Sequence, residues 1–138
     1  MIVGIKKDEI ILYGLDEHKD VIDKIITEIE NFEESFDIRL MLIEALTNAF
    51  KHGNKCCVER PIYLRYVLNE KNIKFEIEDS GTGFKNINIP DAIYDENLLN
   101  DSGRGLFLIK CMADKIEFKN NILIIQKYLT AKKNKAQN

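Results

Sequence analysis

The chain has 138 residues and a net charge of −3, with 45% hydrophobic and 31% charged residues, a balance that predicts one globular domain with a core of Leu, Ile and Phe. Its lysines are spread along the sequence, which argues against nucleic acid as a partner, and no apolar run approaches the roughly 18 residues of a membrane span. Adjacent Cys56 and Cys57 with a distant Cys111 form neither a disulfide framework nor a CxxC metal spacing, and MIVGIKKDEI lacks the marks of a secretory signal, so reduced thiols and a cytoplasmic setting are expected.

In chain order, Ile2 to Ile5 and Ile10 to Tyr13 are short β-like runs around Lys6 to Glu9 and predict an opening hairpin with an exposed edge. From Asp16 to about Glu34, Val21, Ile22, Ile25, Ile26 and Ile29 follow helical spacing, and the acids at the start suit the helix dipole. Asp37 is placed to cap a second helix that runs to Gly53, a residue suited to a left-handed helix end. At about 100° per residue, Leu42, Ala45, Leu46, Ala49, Phe50 and Gly53 share one face, and Glu44, Thr47, Asn48 and Lys51 the other.

After Pro61, strands are predicted over Ile62 to Leu68 and Ile73 to Ile77, joined by the turn NEKN. Residues 85 to 102 carry few regular signals; a third helix over Leu106 to Ala113 and strands over Lys115 to Phe118 and Ile122 to Leu129 close the domain. AKKNKAQN reads as a solvated tail, which leaves one domain over 1–130 and a flexible end over 131–138. Helices that come between strand pairs predict an α/β (α+β) two-layer sandwich, a mixed, largely antiparallel sheet with helices on one face. A doubly wound parallel sheet fits less well, because too few strands are followed by a crossover helix.

Three patches carry candidate chemistry. The polar stripe of EALTNAFKHGN, residues 44 to 54, is on spacing alone an ordinary solvent face. EDSGTGF, residues 78 to 84, ends a strand with Asp79 and offers Gly81 and Gly83 for close approach of a ligand, or equally for a turn. DSGRGLFLIK, residues 101 to 110, places Gly103, Arg104 and Gly105 where a helix begins, which is an anion site or simply a helix start.

Taken together and in this order, the three resemble the N, first-glycine and second-glycine boxes of the gyrase, histidine kinase and mismatch-repair ATPase superfamily, the Bergerat-fold or GHKL ATPases. Within it, EALTNAFKHGN with GRGLFLI is similar to the bacterial anti-sigma-factor serine/threonine kinases of partner-switching systems. The resemblance implies ATP and Mg2+ as ligands. Asn48 would hold the magnesium, Asp79 would accept from the adenine amino group, and Gly81 and Gly83 would keep the pocket floor open. Gly103, Arg104, Gly105 and Leu106 would lie beside the phosphates, Glu44 would be the general base, and Lys51 would reach a phosphate. His52 serves the site or only the helix end.

Residues 85–102 take the place of an ATP lid, with a plain surface loop as the alternative. One departure concerns the Gly-Thr pair that many members carry near the last strand: here the stretch is KNNILIIQKYL, with no threonine at Asn121 or Ile122, so the usual support of Asp79 is missing. The implied partners are a sigma factor and a small antagonist protein that is phosphorylated, with a homodimer as the assembly. A non-catalytic ATP-binding regulatory module is the alternative. A histidine kinase catalytic domain ranks below both, because too few residues precede Glu44 for a dimerisation hairpin and His18 lacks the proline expected beside a phosphoaccepting histidine.

Overall fold

The computed structural model describes residues 4–81 and 101–133, with side chains from residue 105 in the second stretch. Its strands are β1 (Lys6–Tyr13), β2 (Pro61–Leu68), β3 (Asn72–Glu78), β4 (Lys115–Lys119) and β5 (Ile122–Tyr128). The helices are α1 (His18–Glu28), α2 (Ser35–Asn48), which continues into a π-helical turn (Ala49–Gly53), and α3 (Asp101–Met112). The strands form one sheet in the order β1-β2-β3-β5-β4.

All four pairings are antiparallel, so the expected mixed sheet has no parallel pair among the described strands. The crossover from β3 through α3 sets β4 two places away, and β5 returns by a hairpin to fill the gap in the opposite direction. NEKN does turn the chain between β2 and β3: the Asn69 carboxamide oxygen accepts from the N–H groups of Lys71 and Asn72 at 2.8 and 2.9 Å, a local turn device.

Alternation along the strands divides the sheet into two faces. Ile62, Leu64, Tyr66 and Leu68 of β2, Ile73, Phe75 and Ile77 of β3, and Leu123 and Ile125 of β5 are buried against the helices. From the helical layer come Ile22 and Ile25 of α1, Ile38, Met41, Leu42, Ala45 and Leu46 of α2, and Leu106 and Ile109 of α3. On the opposite face, Arg65 donates to Glu76 at 3.1 Å, Glu78 at 2.8 Å and Glu9 at 3.4 Å, so three carboxylates surround one guanidinium.

Four expectations about element bounds are corrected. Lys6 to Glu9 does not turn: KKDE has no Gly, Pro or Asn, and it pairs straight through with Arg65 to Leu68 as part of a single strand, while Ile2 lies outside the described residues. The first helix stops at Glu28 instead of Glu34, because Phe32 pairs with Ala131, Glu33 N donates to Thr130 O at 2.8 Å and Lys132 N to Asn31 O at 2.9 Å. That pairing draws the backbone out of the helix.

Asp37 sits inside the first turn of α2, whose N-cap is Glu34 without a side-chain cap, since the Glu34 carboxylate accepts instead from Thr130 N at 2.5 Å. The third helix starts at Asp101, so Gly103, Arg104 and Gly105 belong to its first two turns and do not precede it.

Candidate nucleotide site

The site grows from the place where α2 changes pitch. In the π-turn, Asn54 N–H donates to Ala49 O at 2.8 Å, five residues back, which widens the helix and takes its last residues off the 100° wheel. Asn48 precedes that turn, on the regular part of α2, and is buried at 5% exposure because α3 packs over it at Gly105. Glu44 and Thr47 are half-buried and Lys51 is exposed, so the stripe read as one face is graded from pocket to solvent.

Gly53 ends this turn without entering the left-handed region; Lys55 and Cys56 occupy it, at φ 55° and 60°. The glycine is required for another reason. A Cβ on Gly53 would collide with the Asp79 carboxyl group, and one on Gly81 would collide with the Gly53 carbonyl oxygen. Gly53 and Gly81 thus meet backbone to backbone, and the Asp79 carboxyl group is held against Gly53 at 3% exposure.

Gly81 N–H donates to Asp79 Oδ1 at 2.9 Å. Burial pushes the Asp79 carboxyl up to about 6, the Gly81 bond works against that rise, and the nearby Glu78 charge adds to it. Strand pairing sets Leu123 opposite Ile77, and Leu123 lines the same pocket as Asp79. Asn121 contributes its backbone oxygen, which accepts from Asp79 N–H at 3.2 Å, while its own buried Oδ1 is unpartnered. The surroundings of the carboxylate are therefore apolar on the β5 side, where a hydroxyl would have stabilised the charge.

Asp79 and Asn48 are the polar groups of a narrow pocket walled by Ala45, Ala49, Ile77, Leu106, Phe118 and Leu123. At its other end Gly105 admits α3 close to α2: a Cβ there would stand 2.7 Å from Asn48 Nδ2 and 2.9 Å from Glu44 Oε2. Asn48 Nδ2 is buried without a hydrogen-bond partner. The unpartnered atom is a donor facing Gly105 and the Glu44 carboxylate, and a flip of the amide would set the Asn48 oxygen there instead.

The structure thus brings Glu44, Asn48, Asp79, Gly81, Gly105 and Leu106 to one region. Gly103 and Arg104 lie in the first turn of α3; of the lid expected over residues 85–102, Asp101 and Ser102 belong to α3, and the rest lies with Gly83 outside the described residues. His52 is half-buried with Nε2 unpartnered. A larger concavity on the outer sheet face is lined by Lys7, Glu9, Arg65 and Glu76, whose central guanidinium is already satisfied by carboxylates.

Sequence reasoning missed Asn54. It is fully buried, accepts from Ser80 N–H at 2.7 Å, and donates to Arg60 O at 2.9 Å and Pro61 O at 3.2 Å. Its position right after Gly53 in KHGN was the available signal, since Asn in a loop often bonds to backbone.

The chain matches the model of the histidine kinase-like ATPase domain over residues 19–127. It is 27% identical over 111 residues to the serine-protein kinase RsbW of Listeria monocytogenes, an overlap of 74% of this chain and 71% of that protein. The protein of the same name from Listeria innocua is 26% identical over the same extent. Over 87 residues the chain is 30% identical to the anti-sigma F factor of Clostridium perfringens, 62% of each. With its Asp79 pocket, its Gly53 and Gly81 contacts and a family match across most of its length, the chain belongs to the histidine kinase-like ATPases.

Proposed function

We propose that this protein is an ATP-dependent serine/threonine kinase of the anti-sigma type, which holds a sigma factor in one nucleotide state and phosphorylates a small antagonist protein in another. The observation that carries this reading is the shared pocket of Asp79 and Asn48, with Glu44 beside Asn48 at Gly105. The names of the relatives, serine-protein kinase and anti-sigma F factor, support it.

Asp79 Oδ2 accepts from the adenine amino group, leaving Oδ1 to Gly81. Glu44 takes the proton of an incoming serine or threonine hydroxyl as its oxygen bonds to the γ-phosphorus; the bond to the bridging oxygen breaks and ADP leaves. Gly103, Arg104 and the N–H groups at the start of α3 meet the negative charge of the phosphates, and Lys51 approaches from the open end of the π-turn. Asn48 would hold a magnesium ion, which neutralises phosphate charge when bound. Two copies associate through the β1 side of the sheet, where β1 is an edge among the described strands.

The test is capture from native cytoplasm on the immobilised protein with Mg-ATP, Mg-ADP or no nucleotide, scored by mass spectrometry for bound sigma factor and phosphorylated antagonist. Glu44→Ala is expected to abolish phosphotransfer while ATP binding persists. Capture that ignores nucleotide and yields no phosphoprotein would replace this reading with that of a non-catalytic binding module.

A further inference from the structure

Asn54 lies outside the nucleotide pocket, yet it joins three segments that meet at the pocket's edge. Its backbone N–H closes the π-turn on Ala49 O at 2.8 Å. Its Oδ1 holds Ser80 N–H at 2.7 Å, and its Nδ2 is shared between Arg60 O and Pro61 O at 2.9 and 3.2 Å, at the entry to β2. Ser80 Oγ also donates to Pro61 O at 2.6 Å. The carboxamide has no exposed surface and every polar atom of it is used, so its orientation is fixed.

Both chain neighbours of these contacts are at the carboxylate. Gly53, just before Asn54, packs its backbone on the Asp79 carboxyl group, and Ser80, held by Asn54, directly follows Asp79. We propose that Asn54 is a positioning residue for base recognition: it fixes where Asp79 Oδ2 stands and thereby sets the preference for a purine with an amino group at C6 over one with an oxo group there. This rests on the nucleotide reading of the Asp79 pocket.

The proposal separates from a purely structural role by what happens to the wrong base. A misplaced carboxylate loses its bond to an amino group, whereas an oxo group never made that bond, so ATP binding should fall and GTP binding should not. General loosening of the loop would weaken both nucleotides alike.

The experiment measures ATP and GTP affinities, and KM against kcat for phosphotransfer, in wild type, Asn54→Ala, Ser80→Ala and Asp79→Asn. Asn54→Ala is expected to weaken ATP by about tenfold, the scale of one lost hydrogen bond to a charged group, with GTP unchanged and kcat at saturating ATP retained. Ser80→Ala, which keeps the backbone N–H on Asn54, is expected to leave the ATP-to-GTP ratio intact. Should Asn54→Ala fail to fold, Asn54→Ser retains an acceptor for Ser80 and should show a smaller shift in the same ratio.

A normal ratio in Asn54→Ala or Asn54→Ser, while wild type prefers ATP and Asp79→Asn loses it, overturns the positioning role and leaves the nucleotide reading standing. A wild type without preference for ATP, or an Asp79→Asn that binds like wild type, overturns both.

Discussion

At the scale of single residues, Asp79 sets folding and ligand binding against each other. Its carboxyl group is raised from 3.8 to about 6, so the folded state favours the protonated form. The stabilising contribution is then fully present below 3.8 and is lost as pH rises through about 6, at roughly 1.4 kcal/mol per pH unit or about 3 kcal/mol at most. The proposed bond to the adenine amino group uses the ionised form, so ATP affinity is expected to rise across the same window. Asp79→Asn should therefore melt higher than wild type at pH about 8, converge with it at pH about 4, and bind ATP at neither; thermal melts and calorimetry at the two pH values check this. Gly105→Ala makes a second case. Alanine gains about 1 kcal/mol over glycine in a helix, which offsets much of the about 1–3 kcal/mol cost of crowding Asn48 and Glu44. Stability should stay within about 2 kcal/mol of wild type while phosphotransfer drops at least about tenfold, as urea melts and a transfer assay would show.

At the scale of elements, the π-turn decides how Gly53 meets the Asp79 carboxyl group. Such turns behave as a single residue added to an α-helix, so deleting the exposed Lys51 should restore regular pitch and leave the domain folded. Gly53 would then turn away from Asp79, and ATP binding is expected to weaken by more than about tenfold, read by titration beside an unchanged circular dichroism spectrum. Nothing in AFKHG announces the change of pitch, and nothing in a helical wheel announces that α3 covers Asn48 at Gly105, which is why spacing alone put Asn48 on a solvent face. The end of α1 was hidden for a related reason: its hydrophobic spacing continues through Ile29, and the chain leaves the helix to pair Phe32 with Ala131, almost a hundred positions away on the order of the whole sequence. By contrast, β2, β3 and β5 were legible nearly to the residue, since β3 alternates apolar and polar residues and β2 and β5 are short runs rich in β-branched and aromatic residues with local turn chemistry.

At the scale of the molecule, one sheet face is dry and the other carries ion pairs, so stability rests on the contact between the sheet and the three helices. Phe75 lies at its centre, at 1% exposure and 6.1 Å from the Tyr66 ring. Phe75→Ala should cost about 3–5 kcal/mol by urea denaturation, several times more than any single substitution on the open face away from Arg65. The two-layer arrangement was foreseeable because amphipathic helices and alternating strands leave few ways to bury both apolar surfaces; the all-antiparallel order was not, because it depends on where β4 lands after α3. Between the layers, most of the spacing is set by side chains, but at Gly53 and Gly81 it is set by the absence of one. Chimaeras with related ATPases should consequently accept exchanged stretches of α1 or β2 one at a time, whereas residues 49–54 and 79–81 would have to be transplanted together or not at all.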